Sequence, residues 1–333
     1  MNKRVQLPFF IPMFAAYHNT AITGMALRDK PHAYPQLFNQ CMDLICERNF
    51  LTGFSSPKVS IPDANIFSFP NIDRQCVCMA YAAPFYREII RAMLDRGNYI
   101  YLSCVDDFYL PGKSWYQEKH MIHDGILYGY DDNTDTYMLA AYDQNWVFRP
   151  IQIPQESYSE SIDAALEAGS NVRLTAIVVR DTVIEVDANG ILKKLKTYLD
   201  SDLQKYPFDG KGPVRGIAVH DYLVNYFDKL LNNNIPYEKM DWRVLRIIWE
   251  YRDCMLKRIQ ALEEKMQWDN TSSTAYSQIV KENDRLRMLY AIYHKKRKDG
   301  VLQSVRDGVL RLKELERQEL ESLVLKLEGA SNQ

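Results

Sequence analysis

His123 opens one β-rich run and Asp143 closes the next, with Asp131-Asp132-Asn133-Thr134 as a turn signal between them. In an antiparallel hairpin the open ends of two strands lie side by side. The spacing therefore predicts an imidazole resting its Nδ1–H on the Asp143 carboxylate. Such a contact fixes the tautomer, steadies an imidazolium and leaves Nε2 to take a proton. The chemistry on offer is general base catalysis; the plainer alternative is a packed or surface histidine beside a turn aspartate. His120, three residues earlier, is either a ligand contact or a solvated loop residue. Tyr128 and Tyr130 alternate with Leu127 and Gly129 and share one face, cleft or core.

No thiol takes an obvious nucleophilic position. Cys104 falls mid-strand, Cys41 and Cys46 inside an expected helix, and Cys254 in a long amphipathic helix. Cys76 precedes a helical run and is the least poor candidate. Cys76-Val77-Cys78 lacks a second pair or nearby histidines for zinc. Asp106-Asp107 and Asp131-Asp132 suggest a turn or surface role rather than a metal site, because neighbours on a strand point to opposite faces. The chain has no Gly-x-Ser-x-Gly elbow, P-loop, GxGxxG or HExxH. We expect no metal and no cofactor.

The elements that must position these residues fall into two textures. Up to about Asp181, helical patterns at Pro35–Glu47 and Pro84–Arg96 precede strand-like runs at Tyr99–Val105, Gly125–Tyr130, Thr136–Tyr142 and Val147–Ile153. A helix near Ser157–Ala168 and a β-branched run at Leu174–Val179 complete an α+β pattern. After Asn189 strand signals vanish and five helical stretches follow, the third starting at Asp241 as an N-cap. The last carries a leucine stripe that packs within a bundle or joins a second copy in a homodimer. We therefore expect an α+β domain over 1–186 and a helical domain over 187–333, with Pro207–Pro213 as a hinge.

Composition narrows the partners. Lys+Arg at 41 against Asp+Glu at 43 lacks the electrostatic footprint of a nucleic-acid binder. Pro8, Pro12, His18 and Asn19 interrupt the apolar N-terminal run, and no stretch reaches the ~20 apolar residues of a membrane span. The reading is a cytoplasmic protein with reduced cysteines, acting on small molecules, peptides or proteins, without nucleic acid or membrane.

The runs HDGILYGYDD, YMLAAYD and YIYLSCVDDFYLPGK together resemble papain-like cysteine-peptidase relatives. They are most similar to the family represented by the N-terminal domain of butirosin biosynthesis protein H. More distantly they resemble the peptidase domains that remove double-glycine leaders from bacteriocins. WRVLRIIWEYRDCMLKRIQALE is similar to the C-terminal part of such gene-cluster proteins; the likeness is sharp only around Tyr99–Asp143.

The resemblance implies a papain-like first domain with a Cys–His–Asp triad, its cysteine starting an N-terminal helix where dipole and imidazole favour the thiolate. His123 and Asp143 match the second and third members. The cysteine position falls on Ala16, which excludes a covalent intermediate there. Three explanations stay open: a naturally altered member, a Cys→Ala variant, or a nucleophile among the other cysteines. Tyr17, His18, Asn19, His120 and Tyr128 are then candidate substrate contacts, His18 either donating to a substrate carbonyl or simply packing.

The implied role is acyl transfer in bacterial antibiotic biosynthesis. The donor is an acyl or peptidyl carrier-protein thioester, and the acceptor is a small-molecule or peptide amine. The alternatives are a catalytically silent papain-like scaffold and a cysteine peptidase.

Overall fold

Strict alternation along Thr136–Tyr142 sends Tyr137, Leu139 and Ala141 to one side of a strand and Met138, Ala140 and Tyr142 to the other. Both sides are buried, so this strand lies inside a sheet covered on two faces. The computed structural model describes residues 3–53, 55–82 and 85–331. Its strands are β1 (Arg4–Gln6), β2 (Ile45–Cys46), β3 (Val59–Ser60), β4 (Ile72–Cys78), β5 (Tyr99–Asp106), β6 (Ile122–Asp131), β7 (Thr136–Tyr142), β8 (Phe148–Pro154), β9 (Arg173–Val179) and β10 (Val214–Arg215). The helices are α1 (His18–Arg28), α2 (Pro35–Gln40), α3 (Asn49–Thr52), α4 (Met79–Ala82), α5 (Tyr86–Asp95), α6 (Gln155–Glu167), α7 (Ala188–Leu199), α8 (Val219–Leu231), α9 (Val244–Met266), α10 (Thr271–Lys296) and α11 (Asp299–Ser331).

The chain forms two compact units: Met1–Tyr34 with Asn65–Val183, and Pro35–Ala64 with Ile184–Gln333. The first is α+β. Its antiparallel sheet runs β4-β9-β5-β6-β7-β8, and β1 continues the β5 edge of β6, Arg4 opposite Asp131 and Gln6 opposite Gly129. Glycine is required at 129, since a Cβ there would run into the Val5 carbonyl. On one face Leu102, Leu127, Leu139 and Leu174 form a core with Ile90 and Leu94 of α5 and Tyr158 and Ile162 of α6. On the other, the Tyr142 hydroxyl donates to the Ala15 carbonyl, and its ring lies against His18 of α1.

The second unit is mainly helical. α10 packs on α9 and α11, and α11 on α8 and α7. Its centre is a polar network cut off from water. Arg252 donates to Glu316 Oε2 from Nε at 3.0 Å and Nη2 at 2.7 Å, and Tyr276 donates to Oε1 at 2.6 Å. Arg252 also meets Asn283 Oδ1 and His220 Nε2. His220 Nδ1 lies 3.1 Å from the Ile217 carbonyl, which can only accept, so Nδ1 carries the proton and Nε2 accepts from Arg252. Burial, then the Arg252 charge, lowers the His220 pKa to about 4. Burial pushes Glu316 up, but Arg252 and His220 outweigh it and hold the carboxyl below its ordinary range.

Several expectations change. Residues 35–64, expected in the first domain, belong to the helical unit: Arg258 of α9 donates to the carbonyls of Phe38 at 2.6 Å and Cys41 at 2.7 Å. The expected helix Pro35–Glu47 stops at Gln40, and β2 follows it into a three-stranded sheet, β10-β2-β3. A strand therefore does occur after Asn189, at β10. The hinge expected at Pro207–Pro213 lies inside the second unit, and the units divide at Val183 instead. Asp241 is not the N-cap of α9; that position is Arg243, whose N–H donates to Asp241 Oδ1. In the leucine stripe Leu312, Leu320, Leu323 and Leu327 are buried, whereas Leu310, Leu315 and Leu325 face outward. Among the described residues no helix is long and apolar enough to cross a membrane.

His220 gives the second unit a defined pH response. An unfolded chain binds a proton on this histidine near its ordinary value of 6.5, and the folded chain refuses it down to about 4. Stability is therefore fully present above about pH 6.5 and falls as pH drops through that window, by about 3 kcal/mol at the lower end. Urea unfolding at several pH values should show this slope in the wild type and a flatter one in His220→Gln; identical slopes would contradict the assignment.

Candidate active site

β5 ends at Asp106, and a tight 3-10 turn, Asp107–Tyr109, leads the chain away. Asp106 caps this turn: its Oδ1 accepts from the N–H of Phe108 at 3.1 Å and of Met121 at 3.0 Å. The β5–β6 register places Val105 opposite His123, so the residues just past the strand end arrive beside the start of β6. Two histidine–aspartate pairs result. His123 Nδ1 lies 2.6 Å from Asp107 Oδ2, and His120 Nδ1 lies 2.7 Å from Asp106 Oδ2. An ionised carboxylate only accepts, so each Nδ1 carries a proton, and in the neutral form of either ring Nε2 is the acceptor.

The pairs differ in setting. The His120 side chain is 65% exposed and stacks on Phe108 at 4.4 Å between centroids. The His123 side chain is 27% exposed, and its ring stacks on His18 at 4.9 Å. Asp107 is buried, and its second oxygen faces the ammonium of buried Lys113 at 3.4 Å. Burial pushes the Lys113 pKa down; Asp107 and Asp124 oppose this without cancelling it. Nearby, burial raises the Asp124 carboxyl, whose Oδ2 accepts from the Tyr101 hydroxyl at 2.9 Å.

The partner of His123 is thus Asp107, not Asp143. The Asp143 carboxylate is taken up by the β7–β8 turn: Oδ1 accepts from the N–H of Asn145 at 2.8 Å and of Val147 at 2.9 Å, and Arg149 reaches Oδ2 at 2.7 Å. The acid comes from the opposite neighbour of β6, from β5 rather than β7. Adjacent Asp106 and Asp107 serve two histidines because strand alternation has already ended between them.

The N-terminal residues also shift in role. α1 begins at His18 with Tyr17 as its N-cap, so Ala16 is buried one residue before the N-cap and is not in the first turn. His18 occupies that start, between Tyr142 and His123. The Tyr17 carbonyl accepts from the N–H of Ala21 and the hydroxyl of Thr20. Asn19 lies in α1, but its side chain falls outside the described residues. Tyr128 does not join the site: it is buried against Phe9, its hydroxyl pKa raised by burial, five residues along β6 from His123 (roughly 17 Å).

Cys76 lies within β4 rather than before a helix, and is exposed. Cys41, Cys46 and Cys254 are buried in the second unit. Burial pushes all three thiols up, Cys46 to about 12. Among the described residues no cysteine hydrogen-bonds His120 or His123, and no group of three or more His, Cys, Asp or Glu is arranged to hold a metal ion. No protein-family model matches the chain, and no curated protein is detectably similar to it.

The two aspartates should separate in experiment. Asp143→Ala strips the acceptor from two turn N–H groups and should cost about 1–3 kcal/mol of stability, leaving the Nδ1–H tautomer of His123 intact by ¹⁵N NMR. Asp107→Asn should weaken that tautomer preference. A tautomer lost in the first variant and kept in the second would reverse the assignment.

Proposed function

We propose that the first unit is a papain-like domain acting in bacterial secondary metabolism in the cytoplasm, and that it transfers an acyl or aminoacyl group from a carrier-protein thioester to an amine. The observation that carries this reading is the His123–Asp107 pair, 2.6 Å apart, beside the first residue of α1. The support is chemical. A tautomer-locked imidazole can accept a proton at Nε2, and the buried carboxylate steadies the imidazolium that forms. The amine nitrogen attacks the thioester carbonyl carbon. The C–N bond forms as the C–S bond breaks, and the proton taken by His123 passes to the departing thiolate. No first-turn residue of α1 is a thiol, so the transfer is direct, without an acyl-enzyme. Proton transfer of this kind is worth about 10²–10⁴-fold in rate.

A second reading has its own observation. The resembled family's nucleophile position falls on Ala16, which bears no thiol, and the His18 ring stands against His123 at the helix start; this favours a catalytically silent domain that only holds a carrier protein.

An assay with an acylated carrier protein and a panel of amines decides between them. His123→Ala should lower the amide-forming rate at least ~100-fold, and His120→Ala should leave most of it; unchanged turnover in His123→Ala removes the mechanism. Carrier-protein binding without turnover, together with no acyl adduct on Ala16→Cys by mass spectrometry, supports the silent domain.

A further inference from the structure

The loop between β5 and β6 holds a charge that the proposed reaction does not use. Lys113 is 4% exposed, and its ammonium lies 3.4 Å from Asp107 Oδ1, while His123 Nδ1 holds Oδ2. A carboxylate this deeply buried requires a positive partner. We propose that Lys113 is a positioning residue for the His123–Asp107 pair: its buried ammonium offsets the Asp107 charge at Oδ1, so that the carboxylate holds the imidazole through Oδ2 without His123 being its sole counter-charge.

The loop is built to deliver this charge. Lys113 N–H donates to the Leu110 carbonyl at 3.2 Å, and Gly112 before it sits at φ +84°, a left-handed conformation that suits glycine. The Gly112 carbonyl accepts from Gln144 N–H at 3.0 Å, and the Ser114 hydroxyl donates to the Asp143 carbonyl at 3.1 Å. Asp143 thus acts on the site at one remove, by ordering the turn that clamps the lysine loop. Around the ammonium stand Asp107 from the 3-10 turn and Asp124 from β6, the latter accepting from Tyr101 of β5, while His123 faces Asp107, Asp124 and, across a 4.9 Å ring stack, His18 of α1. Asp124 is itself hydrogen-bonded by that tyrosine and partly open to solvent, so Asp107 is the direct counter-charge of Lys113. Lysine suits the place because its charge is a point on a flexible stem that can be buried end-on.

The charge offset does not depend on the substrate; only the use of His123 as a general base rests on the acyl-transfer reading. The test is ¹⁵N NMR of the full chain across pH. In Lys113→Met, Asp107 loses its cation, and the midpoint at which His123 takes up its second proton should rise by more than about one unit. Lys113→Arg keeps the charge and should move it by less than about half a unit. A folded Lys113→Met chain whose His123 titrates as in the wild type overturns the proposal. If that variant does not fold, the wild type decides: Lys113 Nζ must report an ammonium throughout the His123 titration, and a neutral amine there overturns it. A shifted midpoint with no acyl transfer in the wild type would sink the reaction and leave the role of Lys113 standing.

Discussion

A carboxylate removed from water needs its charge offset, and the first unit is arranged around one such group, Asp107. Its oxygens are divided between an imidazole on β6 and an ammonium on the loop after β5. Meeting both requires β5 to stop one residue earlier, at Asp106, whose own carboxylate caps the turn that redirects the chain. It also requires the β7–β8 turn to hold the lysine loop from behind. The sheet supplies the register, the caps supply the direction, and the buried charge makes small errors in either costly.

The second unit buries charge toward a different end. Arg252, Glu316 and His220 are as deeply buried as Asp107, but both nitrogens of His220 are occupied, one by a backbone carbonyl and one by a guanidinium. Such a ring has no acceptor left for a ligand and serves only to hold helices together. Among the described residues His123 hydrogen-bonds through Nδ1 alone, and its side chain is partly exposed. The same residue type is thus structural in one unit and available for chemistry in the other, and the count of hydrogen bonds on the ring makes the distinction.

Much of the architecture was legible in local pattern. The strands from Tyr99 to Ile153 were legible as β-rich runs bounded by turn signals, and the observed strands lie within a few residues of those positions. His123 was legible as the residue opening a strand. Its acid was not, because choosing Asp143 assumed that the hairpin partner supplies it, while alternation argued against Asp106-Asp107. That argument fails one residue past a strand end, where the backbone turns. The membership of residues 35–64 was invisible for another reason. It depends on Arg258 reaching carbonyls more than two hundred residues earlier in the chain, and nothing local records that. The start of α1 at His18 rather than nearer Ala16 was equally hidden, since no Ser, Thr, Asp or Asn caps it.

The order of the sheet leaves β4 and β8 as its outermost strands. Two of the seven residues of β8 are Pro150 and Pro154, which offer no N–H to a newcomer, and Arg149 adds a charge between them and the turn. On the far side, Asp73 of β4 is gripped by Arg180 through two short contacts at 2.6 and 2.7 Å. Both margins are therefore poor templates for strand addition, which guards a chain with this much extended backbone against sticking to its own copies while it folds.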